Sequence, residues 1–354
     1  MKYIESRIFN IDTKNINENA LKEISEGLSK GKIVIFPTET VYGIGALCDQ
    51  TDSIKKICEI KGRNVNKPFA FYINNVKKIN ETDFILPEYY KDIIKKFWPG
   101  PLTLILRNKN NETQGFRFTE NHVTIELLKY LPNLLKATSA NKSGESCITN
   151  SNDILMQFKN KVDYIINSGN CKYNEESTVL DLSVRPCVVA RKGVIWKELS
   201  NFLNEKSIDF TCKKKILVVC TGNTCRSPML RGILIDKLTR SNLINYFDVD
   251  SCGVYSPFSI SPSKYAIDVL ADDGIDISSY RSKSITQKLI RESDKIIVMT
   301  KEHEIIIKKM SSDLKENILV LNVTDPIGKG YNFYRETYCI IKRKLKEIEN
   351  WIQK

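Results

Sequence analysis

Histidine is nearly absent: His122 and His303 are the two in 354 residues. A mechanism resting on a Ser–His or Cys–His pair has little to draw on. The ten cysteines include no C-x-x-C pair, which argues against a zinc site or a disulfide framework. Scattered cysteines of this kind fit a reducing, cytoplasmic compartment, and no metal ligand set is expected. No apolar run approaches the roughly 18 residues of a membrane span, and the opening MKYIESRIFNID lacks a signal-peptide pattern. No membrane partner is therefore expected. Internal repeats and low-complexity tracts are missing as well.

Basic residues are present in excess: 54 Lys and Arg against 42 Asp and Glu give a net charge of +12. Such a balance suits polyanions, whether nucleic acid or small phosphates, and equally a solvated lysine-rich surface. Both halves of the chain carry it, so it is not a basic tail. The length suggests two domains of about 150 residues or more.

The seam is legible. A polar, charged stretch around 197–215 is followed by the apolar run ILVVC (216–220), a Gly-containing turn and a helical pattern from Pro228. We expect a first domain over 1–205, a linker over 206–213 and a second domain over 214–354. The first reads as mixed α/β. It has an amphipathic helix over 17–30, a strand stopped by Pro37, helical spacing over 51–63, and short strands in PFAFYI, PLTLIL, YIINSG and TVLDLS. The second alternates strand 215–220, helix 228–240, strand 247–251, helix 262–273, strand 295–300, helix 301–310, strand 317–322 and helix 333–353. That order implies a parallel sheet with helices on both faces.

The densest chemistry is CTGNTCRSP, residues 220–228. A cysteine ends a buried strand, Arg226 and Ser227 follow, and Pro228 suits the first turn of a helix. The loop Thr221, Gly222, Asn223, Thr224 and Cys225 can aim backbone N–H groups at an anion, with the helix N-terminus and Arg226 adding charge. The same field is expected to lower the pKa of the Cys220 thiol, to which Ser227 can donate. Alone, Cys220 would read as a buried strand cysteine; the whole C-x-x-x-x-x-R-S at a strand-to-helix turn is far more specific.

This segment, with VTDPIGKG downstream, resembles the low-molecular-weight protein tyrosine phosphatase family over residues 213–354. The resemblance implies a four-stranded parallel sheet flanked by helices, with Cys220 as nucleophile, Arg226 holding the phosphoryl oxygens and Asp325 of the Asp-Pro pair as general acid and then base. It implies a phosphorylated protein substrate, and neither metal nor cofactor. Ile327 and Gly328 follow Asp325-Pro326 where tyrosine-directed members usually have aromatic residues, and CTGNTCRSP, with Thr224, looks like the protein-arginine phosphatase branch, so phosphoarginine is preferred over phosphotyrosine. Cys225 can form a reversible disulfide with the nucleophile in that family. An arsenate reductase on the same fold would want resolving cysteines downstream, and Cys252 and Cys339 are isolated.

In the first domain PTETVYGIGA, IKGRNVNKP and TSANKSGE place hydroxyls, glycines and cations in short polar turns. These suit a small anionic molecule, or an ordinary basic surface. Together with FWPGPLTLIL, ESTVLDL and ARKGVI, in this order, the segments resemble the YrdC-type L-threonylcarbamoyladenylate synthases over roughly residues 10–200. The resemblance implies a twisted mixed sheet around a basic cavity. It also implies a reaction of L-threonine, bicarbonate or CO2, and ATP with Mg2+, feeding tRNA-modification proteins. By motif, Thr40, Tyr72, Arg117, Ser139 and Ser177 would contact threonine. Lys61, Arg63, Lys67, Thr113, Asn141, Thr149 and Arg191 would contact ATP. Two departures stand out: Phe118-Thr119 follow Arg117 where the family has an apolar residue and proline, and position 72 is Tyr where many members have His. A non-catalytic double-stranded RNA or tRNA module is the alternative; tRNA is otherwise a transient contact.

Overall fold

The structure is a computed structural model describing residues 5–65, 67–143, 145–256, 259–311 and 317–353. Contacts divide it into two units, Met1–Cys212 and Lys213–Lys354.

The first unit is built on one mixed sheet. Its strands are β1 (Arg7–Asn10), β2 (Val34–Phe36), β3 (Gly43–Leu47), β4 (Ala70–Tyr72), β5 (Phe84–Ile85), β6 (Leu102–Asn108), β7 (Thr113–Arg117), β8 (Leu135–Ser139), β9 (Tyr164–Asn167), β10 (Thr178–Asp181), β11 (Cys187–Arg191) and β12 (Phe210–Cys212). Their spatial order is β1-β9-β2-β3-β8-β4-β7-β6-β10-β11-β12, with β5 on β6. The pairs β1–β9, β2–β9, β4–β7, β6–β10 and β11–β12 are parallel; the others are antiparallel.

Alternation along Leu102–Asn108 is complete. Leu102, Leu104, Leu106 and Asn108 are buried and the residues between them half-buried. The expected helix over 17–30 runs Glu18–Ser29, capped by Asn17, whose side chain accepts from the Ala20 amide. Its Leu21, Ile24 and Leu28 are fully buried at helical spacing, each worth about 1.5–3 kcal/mol on leaving water. Helix Thr51–Lys61 stops at Gly62, whose φ of +59° only glycine adopts freely. That left-handed turn separates Lys61 from Arg63. The expected linker over 206–213 contains a strand, since Phe210–Cys212 pair in parallel with Cys187–Val189. Three residues with no hydrophobic run around them give little periodic signal, and the neighbouring strand decides their conformation.

The second unit has β13 (Lys214–Cys220), β14 (Phe247–Gly253), β15 (Lys295–Val298) and β16 (Ile318–Val320), all parallel in the order β14-β13-β15-β16. Ile216 and Val218 face a core with helices Arg226–Arg240, Lys264–Ala271 and Tyr331–Gln353; Leu217 and Val219 face one with Gln287–Arg291 and Lys301–Met310. Burial on both faces explains the uninterrupted apolar run. After β13 the chain adds β14 on one side, then crosses to β15 on the other. The carboxyl end of β13 lies at that switch point, where open α/β sheets bind ligands. Helix Arg226–Arg240 starts two residues before the expected Pro228, taking Arg226 and Ser227 into its first turn.

Candidate active sites

In the first unit strand register gathers the candidate residues on one face. Tyr72 pairs with Arg117, Arg117 with Thr103, Thr103 with Val179, and Val179 with Arg191. Directly paired residues share a face. Two residues along, the next row is Gly45, Ala137, Ala70 and Gly115. On β3, β8, β4 and β7 nothing larger than a methyl group stands between that polar row and the one beyond, where Ser139 pairs with Gly43 and Thr113 is exposed; on β6 the row continues with Ile105.

Three clusters sit on this frame. Lys61, buried at the end of its helix, donates to the carbonyls of Ser139 and Asn141, the latter at 2.6 Å. Ser139 Oγ donates to Asn141 Oδ1 at 2.6 Å. Burial, reinforced by the Arg63 charge, pulls the Lys61 ammonium down to about 7. Second, Arg191 donates from Nη2 to Ser177 Oγ at 2.9 Å, from Nε to the Ser177 carbonyl at 2.8 Å, and from Nη1 to Glu176 at 2.7 Å. Gly193 permits the close approach: a Cβ there would lie 2.3 Å from the Glu176 carbonyl oxygen. Third, Arg117 forms an ion pair with Glu39, both side chains 2% exposed, and the Thr119 hydroxyl donates to the other Glu39 oxygen. Arg117 Nε and Nη1 are buried and have no hydrogen-bond partner among the described residues.

The remaining candidates surround these clusters. Arg63 donates to the Pro68 carbonyl at 2.8 Å and lies over the Phe69 ring. Thr40 is buried 2.9 Å from the Thr38 hydroxyl, which also takes the Thr40 and Val41 amides. Lys67 is exposed. Thr149 is half-buried, its carbonyl accepting from the Cys171 amide.

In the second unit Cys220 ends β13 with its sulfur 2.9 Å from Ser227 Oγ and taking the Asn223 amide at 3.2 Å. The loop turns on Asn223, at φ +53°. Its buried amide donates to Ser227 Oγ and Ser251 Oγ, while its Oδ1 accepts from Tyr280 OH and the Lys283 amide. These four bonds hold an asparagine where glycine would be the easier choice. Gly253 at the end of β14 lies under the loop: a Cβ there would stand 2.5 Å from the Thr221 carbonyl oxygen and 2.9 Å from the Asn223 nitrogen. Arg226, 2% exposed, donates to the Val323 carbonyl at 3.0 Å and Thr221 Oγ1 at 3.1 Å, and forms an ion pair with Asp325. The Ile327 amide donates to the other Asp325 oxygen. Thr224 is half-buried. The Cys225 sulfur faces Tyr334 OH at 3.2 Å and Ser263 Oγ at 3.5 Å.

One expectation is corrected. The Cys220 thiol is pushed up, because complete burial outweighs the bonds from Ser227 and the Asn223 amide and the charge of Arg226, all of which act downward.

The Sua5–YciO–YrdC sequence model, described under telomere recombination, matches residues 26–193, and the low molecular weight phosphotyrosine protein phosphatase model matches 215–354. A putative threonylcarbamoyl-AMP synthase of Methanocaldococcus jannaschii is 35% identical over 191 residues, 51% of this chain and 90% of that protein. The chain belongs to the Sua5–YciO–YrdC family. The threonylcarbamoyl-AMP synthase of Pyrococcus abyssi is 32% identical over 51% of this chain, and only 56% of its own length is spanned. Crystalline P. abyssi Sua5 complexed with L-threonine shares the fold, with a TM-score of 0.54 and 21% identity over 94% of this chain and 96% of that one. The second unit is a low molecular weight phosphatase domain.

In the Sua5–YciO–YrdC unit, reading the sequence missed Glu39 and the role of Thr119. An acid within PTET that becomes 3% exposed needs a counter-charge, and the Arg-Phe-Thr run 78 residues on supplies it. In the phosphatase domain His303 and Gly253 were missed. His303 stands three residues after Thr300, the spacing of a helix-capping pair.

Proposed function

We propose that the first unit makes threonylcarbamoyl-AMP. The observation that carries this reading is the knot of buried Lys61 and Asn141 with half-buried Ser139, level with Thr113 and across a floor of small residues from Arg117 and Tyr72. The threonine amine adds to CO2, and the resulting carbamate oxygen attacks the α-phosphorus of ATP, releasing pyrophosphate. Arg117 presents Nε and Nη1 to the threonine carboxylate. Lys61, Arg63, Lys67 and Arg191 offset triphosphate charge. Mg2+ would arrive with the nucleotide; among the described residues no three His, Cys, Asp or Glu side chains converge on a metal site. With no covalent nucleophile in this set, rate comes from positioning. The product serves other proteins that modify the adenosine beside the anticodon of tRNA. The test is pyrophosphate release that requires threonine, bicarbonate and ATP together; release indifferent to threonine, or none, would leave an RNA-binding module.

The second unit is read as a phosphoprotein phosphatase with a preference for phosphoarginine. Cys220 sulfur at the strand end, facing Ser227 and an inward amide beside Arg226 and Asp325, supports it. The Cys220 thiol passes its proton to a phosphoryl oxygen of the bound dianion and the thiolate so formed attacks phosphorus in line; the bond to the leaving group breaks, and Asp325, entering as the carboxylic acid, gives that group a proton. Asp325 then takes a proton from water attacking the phosphocysteine, which frees phosphate and the thiolate. Thr224 places a hydroxyl at the rim of the loop, where a planar guanidinium can donate to it. Rates on phosphoarginine and phosphotyrosine protein decide the preference. Thr224→Ile is expected to shift it towards phosphotyrosine, and an unchanged ratio removes the reason for choosing arginine.

A further inference from the structure

His303 belongs to no motif of the phosphatase reading, yet it is 4% exposed and hydrogen-bonded at both ring nitrogens. The Thr300 amide donates to Nδ1 at 3.2 Å, and the Thr300 hydroxyl is 2.9 Å away. An amide N–H can only donate, so Nδ1 accepts and the neutral ring carries its proton on Nε2. Burial, and then the charge of Arg226, favour that neutral form. Nε2 lies 3.0 Å from Thr221 Oγ1 and therefore donates to it. Arg226 Nη2 donates to the same oxygen at 3.1 Å.

A threonine hydroxyl has two lone pairs and one proton. Here both lone pairs are taken, one by His303 and one by Arg226. The proton of an exposed Thr221, next to Cys220, is what remains to offer.

We propose that His303 is a positioning residue of the phosphatase site: its Nε2–H fixes the Thr221 hydroxyl as a donor to the substrate's phosphoryl group and steadies the Arg226 edge that shares that hydroxyl. This rests on the phosphatase reading of Cys220 and Arg226. A helix cap alone would use only Nδ1; the second nitrogen reaches from helix Lys301–Met310 into a loop 82 residues earlier in the chain.

The test uses the full chain with p-nitrophenyl phosphate as substrate and inorganic phosphate as competitive inhibitor. His303→Asn keeps an acceptor where Nδ1 stands and removes the donor at Nε2. It is expected to lower kcat/KM about tenfold, the size of one hydrogen bond, and to weaken phosphate inhibition alike while the melting temperature holds. His303→Gln, with an amide where Nε2 stands, recovers most of both. In a Thr221→Val background, His303→Asn costs nothing further, because the hydroxyl it acts through is gone. Losses that multiply in the double variant, or a His303→Asn enzyme with wild-type constants, overturn the proposal. Should His303→Asn fail to fold, the pair Thr221→Val and His303→Gln gives the same answer: Thr221→Val is impaired while His303→Gln keeps most of the activity, and a His303→Gln enzyme as impaired as Thr221→Val refutes it. A wild-type chain that releases no nitrophenol sinks the phosphatase reading itself, and this inference with it.

Discussion

Replacing Glu39 by Gln is the sharpest probe of the first unit. Glu39 and Arg117 are an ion pair with both side chains 2% exposed, and Thr119 holds the second carboxylate oxygen. Gln keeps the shape and loses the charge. A guanidinium cannot shed its proton in the accessible pH range, so Arg117 is left as an uncompensated buried cation with Nε and Nη1 already unpartnered. Breaking a buried pair from one side costs about 3–5 kcal/mol. For a unit of this length each kcal/mol moves the melting temperature by roughly 2–4 °C, so the expected drop is roughly 6–20 °C. Calorimetry measures it on the transition that threonine and ATP shift upward, which identifies the first unit's melting. Arg117→Met is expected to be milder, because a carboxyl left alone can take up a proton. Converting Glu39, Arg117 and Thr119 together to Leu, Met and Val restores most of the stability but not threonine-dependent pyrophosphate release. If Glu39→Gln melts within a degree or two of wild type, the pair is not the isolated buried contact argued for, and the reasoning fails.

Three further outcomes are expected. Lys61 titrates near pH 7 when folded and near 10.5 when unfolded, so the unfolded chain binds more protons between these values and stability rises with pH across that window. Against Lys61→Met, wild type gains up to about 5 kcal/mol from below pH 7 to above 10.5, read as a pH-dependent difference in denaturant midpoint; a flat difference contradicts the buried ammonium. Asp325→Asn is expected to lower kcat on phosphoarginine protein by about 10²–10⁴, with a much smaller loss on p-nitrophenyl phosphate, whose leaving group needs no proton. Gly253→Ala pushes a methyl group into the loop backbone and is expected to cut phosphatase kcat/KM at least about tenfold, while pyrophosphate release by the first unit is unchanged.

The second unit was legible nearly element by element. ILVVC is buried on both faces, and that burial makes it a run rather than an alternation. Helices such as Lys301–Met310 carry their own period and end where it ends. The first unit was legible by motif more than by pattern. Strands of three residues such as Ala70–Tyr72 and Phe210–Cys212 owe their conformation to partners distant in sequence. Cys220 and Arg226 were named as candidates because they share one short loop, and Asp325 because the resemblance implies it; their supports were not named. Glu39 meets Thr119, and Thr221 meets His303, across about 80 residues, and such pairings exist only once the sheet register is set. The direction of the Cys220 titration was misread for the same reason: the loop's field is visible in the sequence, and complete burial is not.

The chain connection between β12 and β13 bears on how the protein can be divided. β12 ends at Cys212 and β13 begins at Lys214, so one residue, Lys213, connects them. The exposed stretch lies earlier, at 204–207. A protease nicking there would send β12 off with the phosphatase fragment, stripping Phe210 from its edge contact with Trp196 and baring the N–H and C=O groups of β11. An uncovered edge is a template for self-association. A gene divided at the obvious polar seam would thus yield a first-unit fragment prone to aggregate, whereas division after Cys212 leaves each sheet with all its strands.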